Sequence, residues 1–324
     1  MTDPNPNPKL PDDERWAREV LTKLAFAAVT EQRRTRRWGI FFKLLFFAYL
    51  VLLLVLAWPD SLDTTTSGGK RHTALVRIDG LIASSTEASA KNVIEALRKA
   101  FEDEKTAGVI VRINSPGGSP VQAGEVYDEI QRLRQKHPKI PIHAVASDIC
   151  ASGGYYIAAA ARNIYANKAS IIGSIGVRMD SFGFTEAIAK LGIERRAYTA
   201  GNNKDSLDPF KPVNPAEVQH LQGMLDAIHQ QFITAVKQGR GKRLKDHPEV
   251  FSGQMWTGEQ SVELGLVDAL GDTRHVAEEV IGEKTVVDYT KRTPWAERLF
   301  DGAGTSLGAV LLKVLEFDGT ARWR

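Results

Sequence analysis

The sequence predicts an α/β domain built on a mostly parallel sheet and preceded by one N-terminal transmembrane helix. Three observations carry this. From about residue 71, apolar strand-like runs alternate with helical stretches, the pattern of successive βα units. Two of the runs end in glycine-rich turns, "NSPGGS" and "ASGGYY", that lead into helices. Finally, "GIFFKLLFFAYLVLLLVLAW", residues 39–58, carries a single charge, Lys43. At about 1.5 Å per residue a helix of that length measures about 30 Å, the hydrocarbon thickness of a bilayer.

The N-terminal part is read first. Residues 1–11 are rich in Pro, Asn and Asp and predict disorder. Residues 12–32 suit an amphipathic helix with Trp16, Val20, Leu24 and Ala27 on one side, solvated or lying on a membrane surface. The run after it is too long for a cleaved signal peptide, and "AWPDSLDTTT" lacks a small-x-small cleavage site, so an uncleaved signal anchor over 38–58 is expected. Arg33, Arg34, Arg36 and Arg37 precede the run, and Lys70 and Arg71 are the first cations after it. The positive-inside rule then places residues 1–37 in the cytoplasm and everything after the anchor outside it. A polar linker, 59–70, leads to a domain over 71–290 and a tail over 291–324.

Within the domain, "ALVRIDG" predicts a strand ending at Gly80, 86–105 a helix, 107–115 a strand, 120–137 a helix and 140–147 a strand. "GGYYIAAAA" opens a helix, and "RNIYANK", "SIIGSIGVR" and "IERRAYT" (193–199) read as strands. A long helix is expected over 213–238, with Asn214 as N-cap and Pro215 as its first residue. A shorter helix starts at 257 and ends at Gly265, and another covers 273–281. The apolar stretch 308–317 is too short to span a bilayer and is expected to dock on a neighbouring surface.

Composition excludes several chemistries. A net charge of +3 offers no basic field for nucleic acid. One cysteine rules out an intrachain disulfide and a multi-cysteine metal site, and the seven histidines form no H-x-x-H pair. "RINSPGGSP" fits neither a P-loop nor a dinucleotide fingerprint; its Pro116-Gly117-Gly118 turn suits an anion, an oxyanion, or simply a strand–helix connection. Ser152 lies at the second turn in a C-x-S-x-G context, which is not the G-x-S-x-G elbow. A nucleophilic serine needs a base. No histidine lies between His143 and His220. Ser67 and Lys70 match S-x-x-K but sit in the linker, where nothing would neutralise a lysine. Lys204, in the polar turn "TAGNNKDSLDPFKP", is the remaining choice beside its ordinary reading as a solvated lysine.

"NSPGGS", "ASGGYYIA", "GSIGV", "NNKDSLDPF" and "GLVD", in this order, resemble the signal peptide peptidase A (SppA) family in its short, membrane-anchored bacterial form, over about residues 74–290. The resemblance implies a ClpP/crotonase-like fold and a serine endopeptidase with a Ser/Lys dyad. By motif position Ser152 is the nucleophile, Lys204 the general base, and Ser174 the hydroxyl that holds the lysine amine. Gly118 and Gly153 supply the backbone oxyanion donors. The lysine must be neutral, which calls for burial. Ser261 departs from the family's usual alanine before "GLVD". Also implied are a ring-like homo-oligomer with sites shared between subunits, no cofactor and no metal. Peptide substrates, signal-peptide remnants among them, would be cleaved at the extracytoplasmic face of the inner membrane. An acyl-CoA lyase or hydrolase of the crotonase type is the competing expectation, opposed by the anchor, and an inactive scaffold is opposed by Ser152, Ser174 and Lys204 occurring together.

Overall fold

The computed structural model describes residues 12–57 and 70–291. The chain divides into one unit of residues 1–64 with 294–324 and another of residues 65–293. In the first, α1 (Asp12–Ala57) is one continuous helix of 46 residues, so the two expected N-terminal helices are joined. No proline interrupts 12–57, and Gly39 alone is too weak a breaker to separate them. Trp38, Phe41, Leu44, Phe47 and Leu50 are all exposed, so over the described side chains of 38–52 the helix shows apolar groups around its circumference, with Lys43 the one charge. Among the described residues no helix is long and apolar enough to cross a membrane. The expected span 38–58 runs on into side chains at 53–57 and into Trp58, which lie outside the described residues. So do residues 1–11, linker residues 59–69 and the tail from 292 on, including 308–317.

The second unit carries the sheet. Its strands are β1 (His72–Asp79), β2 (Thr106–Ser115), β3 (Ile142–Ala151), β4 (Asn163–Ala166), β5 (Ile171–Gly173), β6 (Met255–Thr257), β7 (Ala269–Leu270) and β8 (Val286–Asp288). The order β6-β5-β3-β2-β1-β8 is parallel except for the antiparallel β5–β6 pair. β2 and β3 are mostly buried, as strands covered on both faces must be. The helices are α2 (Ala90–Glu102), α3 (Pro120–Lys136), α4 (Gly153–Ala158), α5 (Thr185–Lys190), α6 (Pro215–Arg240), α7 (Gly258–Glu263) and α8 (Thr273–His275), the last prolonged by a π turn over Val276–Ile281.

One feature of β3 positions the site. Its first half, His143–Ala146, pairs with β4, and its second half, Ile149–Ala151, pairs with β5. Between the halves the strand changes neighbours. The Ser170 hydroxyl donates to the Ser147 carbonyl, and Asn114 Oδ1 accepts the Ile149 N–H at 3.2 Å. β3 therefore runs past the end of β4 and delivers Ser152 beyond it. The small-residue run that follows has a packing cause. A Cβ on Gly239 of α6 would lie 1.9 Å from the Ala159 carbonyl oxygen, so α6 crosses backbone-close at the end of α4. Ala158, Ala159, Ala160 and Ala161 are all buried there, where larger side chains would hold the two helices apart.

Helix starts obey local chemistry. The Ser119 hydroxyl accepts the Gln122 N–H ahead of Pro120 in α3, and Asn214 accepts the Ala216 N–H ahead of Pro215 in α6. Two strand expectations are corrected. Residues 193–199 form no strand, because no other segment among the described residues offers them a ladder. The strand expected over 170–178 stops at Gly173, where Ser174 turns to a positive φ of 53°.

Candidate active site

Two turns meet at the carboxyl ends of β2 and β3. After β2, Ser115 Oγ accepts the Gly117 N–H at 3.1 Å. Ile82 clamps the next residues: its N–H donates to Gly117 O (2.9 Å) and its carbonyl accepts the Ser119 N–H (2.8 Å). Gly118 sits between them at φ 149°, where a Cβ would lie 2.1 Å from Ile82 O, so only glycine fits. After β3, Ser152 takes φ 50° and ψ −123°, a costly conformation for a residue with a side chain. It is held by its N–H donating to Gly173 O (2.8 Å) and by its carbonyl accepting the Tyr156 N–H (2.9 Å).

The turns touch. A Cβ on Gly117 would lie 2.7 Å from both Ser152 Cβ and Gly153 N, and one on Gly153 would lie 3.4 Å from Gly118 N. Among the described residues, neither the Gly118 nor the Gly153 N–H donates to a protein acceptor. Two open N–H groups therefore stand beside one serine hydroxyl. Ser174 follows β5; its N–H donates to Gln254 O at 2.7 Å and its carbonyl accepts the Gly176 N–H at 3.0 Å. Ser152, Ser174, Gly118 and Gly153 all line one cleft of about 730 Å³.

The sequence expectation thus brings four of its five residues together. The fifth, Lys204, stays apart. It is exposed in the turn before α6, does not line the cleft, and makes no side-chain hydrogen bond or ion pair among the described residues. The expected burial of its amine is not met within a single chain. The physical reason is that none of the described residues covers this region: Phe182 is 76% and Tyr198 91% exposed. Among the described residues that line the cleft there is no histidine, lysine or carboxylate to serve as a base. His229 Nε2 donates to the Ile175 carbonyl at 3.0 Å, so that nitrogen carries its proton. Cys150 is fully buried, and burial pushes its thiol up, which keeps it protonated and unreactive.

The cleft walls escaped the sequence reading. Tyr156, Ile228 and Phe232 supply apolar surface, and the Tyr156 and Phe232 rings pack at 4.9 Å. Burial, then the charge of Asp128, raises the Tyr156 phenol and keeps it neutral. Tyr156 lies one helical turn after Ser152, a spacing that could have flagged it. Ile228 and Phe232, four apart on α6, read equally well as ordinary core positions.

A profile of peptidase family S49 matches residues 134–286, which include Ser152, Ser174 and Lys204. A putative protease of Synechocystis is 36% identical over 214 residues, 66% of this chain and 73% of that protein. The chain belongs to peptidase family S49, the SppA family. The mixed α/β architecture with its mostly parallel sheet fits the ClpP-like fold expected for S49. A protein named putative signal peptide peptidase SppA from Enterococcus faecium is 29% identical over 238 residues, 70% of this chain and 69% of that one. The Na(+)/H(+) antiporter NhaA of Brucella abortus is 46% identical over 188 residues, 58% of this chain. The chain spans about a quarter of the length of that relative and of its Brucella melitensis counterpart.

Proposed function

We propose that this S49 chain is a membrane-anchored serine endopeptidase working through a Ser152/Lys204 dyad. The observation that carries this is Ser152 in its strained turn, with the open N–H groups of Gly118 and Gly153 beside it. Ser152 Oγ attacks a peptide carbonyl, and its proton passes to Lys204 Nζ. The two N–H groups hold the tetrahedral oxyanion. On collapse the proton moves from Lys204 to the leaving amine, and a water activated by the same amine releases the acyl group from Ser152. Each step is carried by groups of the protein, so the mechanism calls for no metal or cofactor.

Lys204 enters the cleft of an adjoining subunit in a ring-like homo-oligomer. The exposed aromatic surface around it and the absence of a base from the home cleft support this. There Ser174 holds the amine, and the subunit contact buries it, which favours the neutral form. The apolar part of α1 anchors the chain in the inner membrane with residues 1–37 in the cytoplasm and the catalytic unit outside. Its exposed apolar side chains on every side, after the arginines at 33–37, support this. Substrates are signal-peptide remnants and other apolar peptides, in keeping with the apolar cleft walls.

The test is turnover by purified variants. Ser152→Ala and Lys204→Met should each abolish it, and the double variant should lose no more than either alone, since the pair acts as a unit. Retention of most activity by Lys204→Met overturns the lysine base.

A further inference from the structure

Arg178 is the one charged residue among the described residues that line the cleft. Its companions there are apolar residues, glycines, prolines, hydroxyls and an amide. Gly176, Val177 and Arg178 line the cleft in succession, starting two residues after the positive-φ residue Ser174. Among the described residues the guanidinium pairs with Asp180 alone, at 3.0 Å, with the side chains 87% and 66% exposed. Asp180 does not line the cleft.

We propose that Arg178 selects peptide substrates that carry a carboxylate close to the scissile bond. The inference rests on the reading that this cleft takes the substrate. A guanidinium offers a planar fork matched to a carboxylate. An exposed pair two residues apart contributes little, so an incoming carboxylate displaces Asp180 at small cost. A substrate cation finds no anion among the lining residues and meets a like charge instead. The carboxylate has two sources: an Asp or Glu side chain, or the free C-terminus that an earlier endoproteolytic cut leaves on a peptide fragment. A fragment-releasing peptidase is therefore the class of reaction that would supply the second kind.

Four matched peptides with one apolar core separate these: a free acid, its C-terminal amide, an amide with an added Glu, and an amide with an added Lys. Binding is measured by fluorescence anisotropy to full-length Ser152→Ala in detergent, and kcat/KM on the otherwise wild-type chain. The acid-bearing peptides should bind about three- to fivefold better than the neutral amide, the size expected of an exposed, screened pair, and the gap should shrink with salt. Arg178→Ala should close the gap, Arg178→Glu should turn it toward the Lys peptide, and Asp180→Asn should widen it by removing the competitor. Preference for the free acid alone assigns the C-terminus; preference for the Glu amide alone assigns the side chain. A gap that survives Arg178→Ala, or an Arg178→Glu protein that still prefers acids, overturns the proposal, as does turnover without any gap. A binding gap without turnover supports it and overturns the dyad instead.

Discussion

Ser152 and Ser174 both hold positive φ values, 50° and 53°, and each is fixed by backbone bonds to a neighbouring segment. Such conformations cost about 1–3 kcal/mol each and persist only when the surroundings impose them. Here the imposition comes from Gly173 and Gln254, so the site depends on backbone registration more than on side-chain contacts. Two glycine substitutions separate fold from chemistry. In Gly118→Ala the methyl would meet Ile82 O at 2.1 Å, so the turn must move, and both the melting temperature and the activity should fall. In Gly153→Ala the new Cβ finds ordinary contacts at 3.4 Å with Ala123 Cβ and Gly118 N. The melting temperature should hold within a few degrees while the methyl crowds the oxyanion position. We expect kcat to drop about 100-fold, the scale of losing one oxyanion donor. Normal turnover by Gly153→Ala would show that the oxyanion does not sit where this methyl points. Ser174→Ala should lower kcat/KM by about 10–100-fold without unfolding, in line with losing one supporting hydrogen bond. At this scale little was legible without the family resemblance. A Ser-Gly-Gly turn and a lysine in a polar loop are common features. What marks them, a positive φ at Ser152 and two open N–H groups, is a property of the folded backbone.

At the scale of elements, α2 and α3 are tied by Glu129. Its buried carboxylate accepts bonds from Arg132 Nε (2.7 Å) and from Arg98 Nε (2.8 Å). The Arg132 hydrogen bond, against the opposing effect of burial and with help from Arg98, holds Glu129 down at about 2. A carboxylate with a depressed pKa contributes stability that is present above its unfolded value and lost as pH falls through its folded value. The urea midpoint should therefore fall between about pH 5 and pH 2. Glu129→Gln should flatten that part of the profile and cost about 1–3 kcal/mol at pH 7, discounted because both arginines are half exposed. An unchanged acid slope in Glu129→Gln would dismiss this tie. His143 adds a second acid-sensitive group: burial, then the charge of Arg162, pushes its imidazole down to about 4. It stays neutral in the fold, and its contribution is lost as pH falls from about 6.5 to about 4.

Elements such as α3 and α6 were legible because a cap and a proline fix the start of each within a residue or two. β2 and β3 were legible as buried apolar runs. Residues 193–199 misled because alternation predicts a strand only where a neighbouring strand exists to receive it. The partner change along β3 leaves no trace in composition, yet it is what carries Ser152 beyond β4.

For the whole molecule, the separation of Lys204 from the cleft decides the most informative experiment. If the base comes from an adjoining subunit, a heterologous contact joins the serine of one copy to the lysine of the next. Ser152→Ala and Lys204→Met subunits, each inactive alone, should then complement. In a mixed ring, sites that pair an intact serine with an intact lysine arise wherever a Lys204→Met subunit receives the lysine of a Ser152→Ala neighbour. Random mixing in equal amounts makes these about a quarter of all sites, because a head-to-tail ring assigns one neighbour to each cleft. Co-expression of the two full-length variants should thus restore about a quarter of wild-type kcat, while mixing them after assembly should restore it only as fast as subunits exchange. A dyad closed within one chain gives a different result: no mixture of the two variants recovers activity, because every chain lacks one member. The anchoring proposed for α1 would sharpen the contrast. Copies held in one bilayer meet at high effective concentration, so deleting residues 1–58 should weaken assembly and activity together. Full activity from a monomeric fragment of residues 59–324 would return Lys204 to its own cleft and require the segment 176–213 to fold back over Ser152.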